Sequence, residues 1–235
     1  MSDPAVPPGF FRATWLVARK DFRIEGRTLE SVSAMALFAL IVLVVFNFAF
    51  DLSTVKRVGT DRVVPGVLWV TFSFSAIVGF ARSFQIERRR ESIAALILAP
   101  VDRGALFAGK LAANVALLAV LQGVLLPLSA VLFDYDLASI AGPLVFVVAL
   151  HTIGLAVLGT LFGAVASRLG RGEALLATLL LPAATPLFLS AVRCTSTVLA
   201  QRPLDGDRTW LLVTAGFDVL YFLVALLTFE FVLED

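Results

Sequence analysis

ERRRESIAALILAPVDRGALFAGK, the stretch from Glu87 to Lys110, lies between two apolar halves of the chain and combines dense charge with a helical pattern. Its apolar residues recur at the i, i+3 and i+4 positions of one helix face, where they are Ile93, Leu96 and Ile97. Arginines precede this face and form a charged lead-in. The pattern predicts an amphipathic helix that lies at the surface of a membrane.

The segment after this helix is charged as well. Pro100 ends the helix, because proline has no amide hydrogen and its ring clashes with the preceding turn. A second charged shoulder, Asp102 to Lys110, leads directly into an apolar run. Basic residues beside a membrane span often serve only to orient it. That interpretation stays open, but the length of the segment also favours a docking surface for a partner in the aqueous phase. The predicted surface comprises Glu87, Arg88, Arg89, Arg90, Glu91, Ile93, Leu96, Ile97, Pro100, Asp102, Arg103 and Lys110.

The composition is that of an integral membrane protein. Hydrophobic residues make up 59% of the 235 residues, whereas soluble domains have about 45 to 50% apolar residues. The single cysteine, Cys194, excludes an intrachain disulfide, and the sequence has no CxxC motif or cluster of metal ligands. We therefore expect no bound metal, and nothing in the charge pattern indicates a nucleic-acid partner.

Six apolar runs approach or exceed the length of about 20 residues that a helix needs to cross a membrane. The chain therefore predicts an all-α fold in which residues 1–30 form an N-terminal interfacial amphipathic helix and residues 31–235 a six-span domain. Residues 82–110 form the predicted coupling segment between spans 2 and 3. The spans are Ser31–Phe50, Val64–Ala81, Ala108–Phe133, Ile140–Ala166, Ala174–Val192 and Trp210–Phe229.

Prolines and one tryptophan refine this outline. Pro65 predicts a break at the start of the second span, and Trp69 an aromatic side chain at the membrane interface. Pro182 and Pro186 predict a bent or broken fifth span. Residues 193–208 are expected to form the last sizeable loop.

The distribution of Lys and Arg predicts the orientation. An even number of spans puts both termini on one side, and the segments on that side carry 13 of the 19 basic residues, against 6 on the other. Basic residues accumulate on the cytoplasmic side of short loops. We therefore expect both termini and the coupling segment in the cytoplasm.

Two glycine motifs bear on function. Residues 104–110, GALFAGK, match half of a phosphate-binding loop, but Leu111 replaces the hydroxyl residue that would bind magnesium and no strand precedes the motif. We therefore reject a nucleotide site in this chain. Gly159 and Gly163 form a GxxxG motif on the fourth span, which indicates close helix packing within or between subunits.

His151 and Asp218 are the ionisable residues deepest in the apolar runs. Buried polar groups of this kind need a partner or a wet path. At 1.5 Å per residue both lie about 12 to 16 Å below the outer surface, so they could pair with each other. A structural role is the first interpretation, and contact of His151 with a transported ligand or haem is the second. With one histidine and no HExxH or catalytic triad, the chain offers no enzyme site.

Four stretches together resemble the haem exporter protein B family: PGVLWV at 65–70, Glu87 to Lys110, LLLPAATPLFLSAVR at 179–193, and FDV at 217–219 followed by FEFVLE at 229–234. The resemblance spans nearly the whole chain, and PVDRGALFAGK is its most specific part. The chain departs from the family pattern at Glu91 and Ala94, where a glycine and then an acidic residue are expected.

The resemblance implies a fold, a function and a set of partners. It implies a homodimer of six-span permeases of the type-2 ABC exporter class in the bacterial inner membrane, whose ATP is bound by a separate cytoplasmic ABC ATPase (CcmA-like). It also implies haem-handling membrane partners (CcmC-like and CcmD-like) and a periplasmic haem chaperone (CcmE-like) that serve cytochrome c maturation. Haem would be a cargo rather than a resident cofactor.

Three kinds of function remain open at this point. The chain could be the permease half of a haem-delivering ABC transporter, or an ABC permease for another amphiphilic cargo such as a lipid or drug. It could also be a non-transporting scaffold that couples an ATPase to remodelling of a haem–chaperone complex.

Overall fold

The computed structural model describes residues 9–89, 103–169 and 172–234, and of residues 85–89, 168, 172–173 and 230–234 the backbone alone. Every regular element in these ranges is helical. The elements are α1 (Phe10–Thr28), α2 (Glu30–Ala49), α3 (Leu52–Val58), α4 (Thr60–Arg89), α5 (Arg103–Phe133), α6 (Leu137–Arg168), α7 (Gly172–Leu199), a 3-10 helix (Leu204–Asp207) and α8 (Arg208–Glu234).

The described helices include six that are long and apolar enough to cross a membrane. This confirms the all-helical fold and the six predicted spans. The candidate spans are Glu30–Ala49, Thr60–Phe84, Arg103–Phe133, Leu137–Ser167, Ala174–Leu199 and Leu204–Phe229.

Helices α4 and α6 form the centre of the bundle. In each of these two helices, 72% of the most apolar 18-residue stretch is buried inside the chain, compared with 17% in α2 and in α8. The two peripheral helices instead present large apolar side chains outward, among them Leu37 on α2 and Leu227 on α8. In a membrane this outward surface faces lipid or another protein, because an apolar side chain loses nothing by contact with acyl chains.

The GxxxG motif fixes the contact between α4 and α6. A Cβ atom on Gly159 would collide with the ring of Phe80, and one on Gly163 would lie 2.5 Å from Cε2 of Phe84. Each glycine therefore leaves a notch that an aromatic ring fills. The motif packs helices within the subunit.

Helix α1 lies along the start of α5. Its buried side chains are Ala13, Val17 and Ala18, whereas Phe11 and Trp15 on the other face are 86% and 63% exposed. Gly109 of α5 permits the close approach, since a Cβ atom there would lie 2.8 Å from the carbonyl oxygen of Thr14. The amphipathic character agrees with the prediction of an interfacial helix, and its location at a membrane surface stays a prediction.

Several predicted boundaries were wrong. Helix α4 runs through Pro65, so the predicted break there is absent. Helix α7 runs through both Pro182 and Pro186, so the span is continuous and a bend at these prolines stays a prediction. Since α7 continues to Leu199, the predicted loop 193–208 shrinks to a turn and a 3-10 helix. Polar residues near a span end can extend a helix, because the helix satisfies its own backbone hydrogen bonds whatever the side chains are.

The structure also contains a short helix, α3, between the first two spans. Asp51 caps it by accepting hydrogen bonds from the Thr54 amide and the Ser53 hydroxyl, both at 2.7 Å. The same bonds, that of Ser53 first, lower the pKa of Asp51 below its usual value. The sequence Asp51-Leu-Ser-Thr contained this capping signal.

Candidate functional site

A buried polar cluster joins α6, α7 and α8 in the middle of the bundle. His151 of α6 is only 1% exposed. Its Nε2 atom lies 3.0 Å from Oγ of Ser190 on α7 and 3.1 Å from Oγ1 of Thr214 on α8. The two hydroxyls are themselves 2.7 Å apart. One imidazole ring thus connects three spans.

The partners of the cluster determine where its protons lie. The Nδ1 atom of His151 is 2.7 Å from the carbonyl oxygen of Val147, which can only accept a hydrogen bond. Nδ1 must therefore carry the hydrogen, and Nε2 of the neutral ring accepts one from a hydroxyl. Ser190 and Thr214 can also donate to the carbonyl oxygen of Trp210, at 3.0 and 3.1 Å. Both ring nitrogens are satisfied within the chain.

Trp69 of α4 extends the cluster to a fourth span. Its ring centroid lies 5.5 Å from that of His151, and its Nε1 atom donates a hydrogen bond of 3.0 Å to Oγ1 of Thr195. Trp69 is 5% exposed, so the prediction of an interfacial aromatic was wrong. An indole ring is also stable in a protein core when its N–H donates a hydrogen bond, and the sequence alone does not reveal the acceptor.

Asp218 of α8 lies one helical turn beyond Thr214 and is 8% exposed. Both carboxyl oxygens are buried without a hydrogen-bond partner among the described residues. The carboxyl group faces Gly154 and Leu187, and a Cβ atom on Gly154 would collide with it. Gly154 therefore makes the space that this carboxyl group occupies.

The hypothesis that His151 and Asp218 pair is not supported. The prediction of similar depth holds, because Asp218 packs against Gly154, one turn from His151 on the same helix. The imidazole, however, uses its hydrogen bonds on Val147, Ser190 and Thr214. The hydrogen-bond partners of the histidine are hydroxyl groups on neighbouring spans. The predicted pairing considered only ionisable residues as partners and therefore missed them.

Lys110 joins α5 to α1. Its Nζ atom lies 3.2 Å from Oδ2 of Asp21 on α1 and 4.9 Å from the ring centroid of Phe84 on α4. Lys20 also lies 3.2 Å from the Asp21 carboxylate. Because Lys110 is only 5% exposed, it cannot belong to an exposed docking surface as predicted. It ties α1 to the base of α5.

The remaining predicted docking residues are only partly described. Arg103 begins α5, and the backbone of Glu87, Arg88 and Arg89 belongs to the end of α4. The others lie outside the described residues: Arg90, Glu91, Ile93, Leu96, Ile97, Pro100 and Asp102. In the chain, these residues connect the end of α4 to the start of α5.

The His151 cluster and the neighbouring Asp218 offer the chemistry of hydroxyls, one imidazole and one carboxyl group. No group of three or more His, Cys, Asp or Glu that could hold a metal ion occurs among the described residues. Residues 104–110 are helical from the start, so the GALFAGK sequence does not form a loop that could enclose phosphates. These groups are arranged to connect the spans to one another through hydrogen bonds.

Six apolar helices around a mostly apolar core define a multi-pass membrane protein. The comparisons with known proteins make this more specific. A family model described as CcmB protein matches residues 12–233, and the chain belongs to this family. The match confirms the resemblance to haem exporter protein B and implies a role as a haem-export ABC permease in cytochrome c maturation. The comparison with curated proteins found no match.

Proposed function

We propose that this chain is the permease half of an ABC transporter whose ATP-binding subunit is a separate cytoplasmic protein. The chain itself is not an enzyme; it converts ATP hydrolysis by its partner into transport of haem or release of the haem-loaded periplasmic chaperone. It resides in the bacterial inner membrane with both termini in the cytoplasm. The family match to residues 12–233 supports the class of transporter.

The observation that carries the coupling mechanism is that residues 90–102 connect two long spans, of which α4 lies at the centre of the bundle. The segment follows α4, which is 30 residues long, and precedes α5, which is 31 residues long. At 1.5 Å per residue each helix extends about 45 Å, enough to cross the membrane. A displacement of the segment would therefore move rigid elements that reach the opposite surface.

Helix α1 stabilises the same end of the bundle. It is fixed to α5 by the buried Lys110–Asp21 pair, and Glu30 at the start of α2 pairs with Arg82 of α4 at 3.1 Å. The helix ends next to the coupling segment are thus linked to one another. This arrangement supports a segment that transmits force to the spans, rather than a loop that only sets the orientation of the chain in the membrane.

We further propose that two copies form the working permease. Six spans are half of the twelve that a complete transporter of this class uses, and a symmetric homodimer supplies the other half. Helices α2 and α8 leave most of their apolar surface free within one chain. Haem-handling membrane partners and the periplasmic chaperone would bind this dimer at other surfaces.

The test removes apolar docking contacts and leaves the charge unchanged. Leu96→Ser with Ile97→Ser would remove roughly 3 to 6 kcal/mol of apolar burial, at about 1.5 to 3 kcal/mol per side chain. Insertion and dimer formation should persist, because the Lys and Arg count is unchanged. Co-purification of the ATPase and the yield of holo-cytochrome c should both fall sharply.

The matched control is Leu98→Ser, on the opposite face of the predicted amphipathic helix. It should leave both readouts near the wild-type level. Wild-type levels of ATPase binding and holo-cytochrome c in the correctly inserted double variant would show that the segment only sets topology.

A further inference from the structure

A cleft of about 250 Å³ lies between α1, α2 and α5. One end is polar and is formed by Asp21, Glu25 and Lys110. The walls continue along α5 past Ala116 to Val120, which is 52% exposed, so the apolar end opens toward the surroundings of the bundle. The cleft is therefore amphipathic along its length.

The length of the cleft matches one leaflet of a membrane. Lys110 and Val120 are ten positions apart on one continuous helix, which corresponds to about 15 Å at 1.5 Å per residue. The hydrocarbon core of a bilayer is about 30 Å thick, so its half is about 15 Å. A molecule with its polar group near Lys110 would extend its apolar part to the bilayer midplane.

The charges at the polar end favour a headgroup that carries both signs. The cleft contains two carboxylates, Asp21 and Glu25, and one ammonium group, Lys110. Asp21 already pairs at 3.2 Å with Lys110 and, outside the lining of the cleft, with Lys20, so the charges near this end balance. Glu25 accepts hydrogen bonds of 2.9 Å from the amides of Ser31 and Val32. A purely anionic headgroup would meet two carboxylates, whereas an ammonium phosphate headgroup finds a complement for each of its charges.

We propose that this cleft binds one glycerophospholipid with a zwitterionic ethanolamine headgroup, taken from the leaflet on the side of α1. The ammonium group lies beside Asp21 and Glu25, the phosphate beside Lys110, and an acyl chain follows α5 past Leu117 to Val120. The lipid fills the space beside the turn at Leu29 that joins α1 to α2. The site is independent of the proposed transport function.

The test compares a variant that fills the cleft with one that does not. Wild-type protein and both variants are extracted in mild detergent from bilayers that contain equal amounts of phosphatidylethanolamine and phosphatidylglycerol. Bound lipid is counted by native mass spectrometry. Ala116→Trp fills the cleft, and Ala119→Trp, on an exposed face of the same helix outside the cleft, is the control. We expect about one retained phosphatidylethanolamine per chain in the wild type and control, and at least a fivefold loss in Ala116→Trp.

A second variant tests the headgroup without obstructing the cleft. Glu25→Gln keeps an oxygen that accepts from the Ser31 and Val32 amides but removes one negative charge. Its preference for phosphatidylethanolamine over phosphatidylglycerol should fall several-fold. The proposal is overturned if Ala116→Trp retains as much lipid as the control, or if it displaces a second copy of this chain instead of lipid. It is also overturned if the wild type prefers phosphatidylglycerol or retains the two lipids in the bulk ratio, or if the preference for phosphatidylethanolamine survives Glu25→Gln.

Discussion

At the scale of single residues, the central polar cluster shows how this bundle accommodates an imidazole. Burying a polar group in an apolar interior is costly unless its hydrogen bonds are made. His151 meets this requirement with a carbonyl of its own helix and hydroxyls from two others. The cluster therefore contributes to the choice of neighbours among α6, α7 and α8, since another arrangement would leave the ring unsatisfied.

A double-mutant cycle on His151 and Thr214 tests this interpretation. Because the two side chains lie 3.1 Å apart, His151→Ala and Thr214→Val should show an interaction free energy of about 0.5 to 3 kcal/mol. The free energy of unfolding of the four proteins would be measured in detergent. A parallel cycle on His151 and Asp218 serves as the control and should give a smaller coupling. Coupling confined to the second cycle would contradict the observed partners.

The glycine notches give a second prediction at the same scale. Gly163→Ala would place a Cβ atom 2.5 Å from the ring of Phe84, so the ring or the helix must shift. We expect a loss of about 1 to 3 kcal/mol in the free energy of unfolding, as is typical of overpacked cores. Phe84→Leu in the same chain should restore part of it.

Gly216→Ala on α8 is the matched control, because it lies inside a helix with no proline beside it and a Cβ atom there meets nothing within 4 Å. It should leave stability unchanged or raise it by about 0.5 to 1 kcal/mol, as alanine favours a helix over glycine. Equal destabilisation by both substitutions would show that glycine acts through the helix backbone and that the notch has no effect.

At the scale of helices, α1 depends on one buried ion pair for its position on α5. Breaking a buried pair from one side is strongly destabilising, because the partner charge is left in a site of low polarity. The pair therefore predicts that α1 loosens when Lys110 loses its charge. The native Cys194 is fully buried, so a second cysteine can report this change.

Ala18→Cys places the reporter on the buried face of α1, where Ala18 is 3% exposed. Adding Lys110→Met should raise its rate of maleimide labelling, because the Asp21 carboxylate then loses its buried partner and keeps its pair with the partly exposed Lys20. Adding Asp21→Asn as well should lower the rate again, because the buried carboxylate is gone and Lys20 reaches water. The control substitution is Lys56→Met, which breaks the exposed Lys56–Asp134 pair and should have no effect on labelling. An unchanged rate after Lys110→Met would show that apolar contacts alone hold α1.

The helices also show what the sequence can and cannot predict. All six spans were predicted because a membrane helix needs a long apolar run, and that signal is local. The ends of α4 and α7 were misplaced because their polar terminal turns stay helical. The partners of Trp69 and His151 were missed because they come from helices distant in the chain, and no local pattern encodes such pairs.

At the scale of the whole molecule, the distribution of charge makes a prediction about topology. The segments predicted to lie on the cytoplasmic side hold 13 of the 19 basic residues. A fluorescent protein fused after Asp235 should therefore fold and fluoresce in the cytoplasm, and a periplasmic phosphatase fused there should be inactive. Truncation at Asp134, between α5 and α6, should reverse both results. An active phosphatase at Asp235 would contradict the orientation.

The aromatic rings in the two glycine notches also limit how the molecule can move. Phe80 and Phe84 are four residues apart on α4, and Gly159 and Gly163 are four residues apart on α6. Sliding one helix along the other by a full turn, about 5.4 Å, would bring Phe80 against Leu155 or Phe84 against Ser167, and a smaller shift would drive both rings into backbone. Helices α4 and α6 therefore move as one rigid body. Any motion that reaches the end of α4 must therefore displace α6 with it.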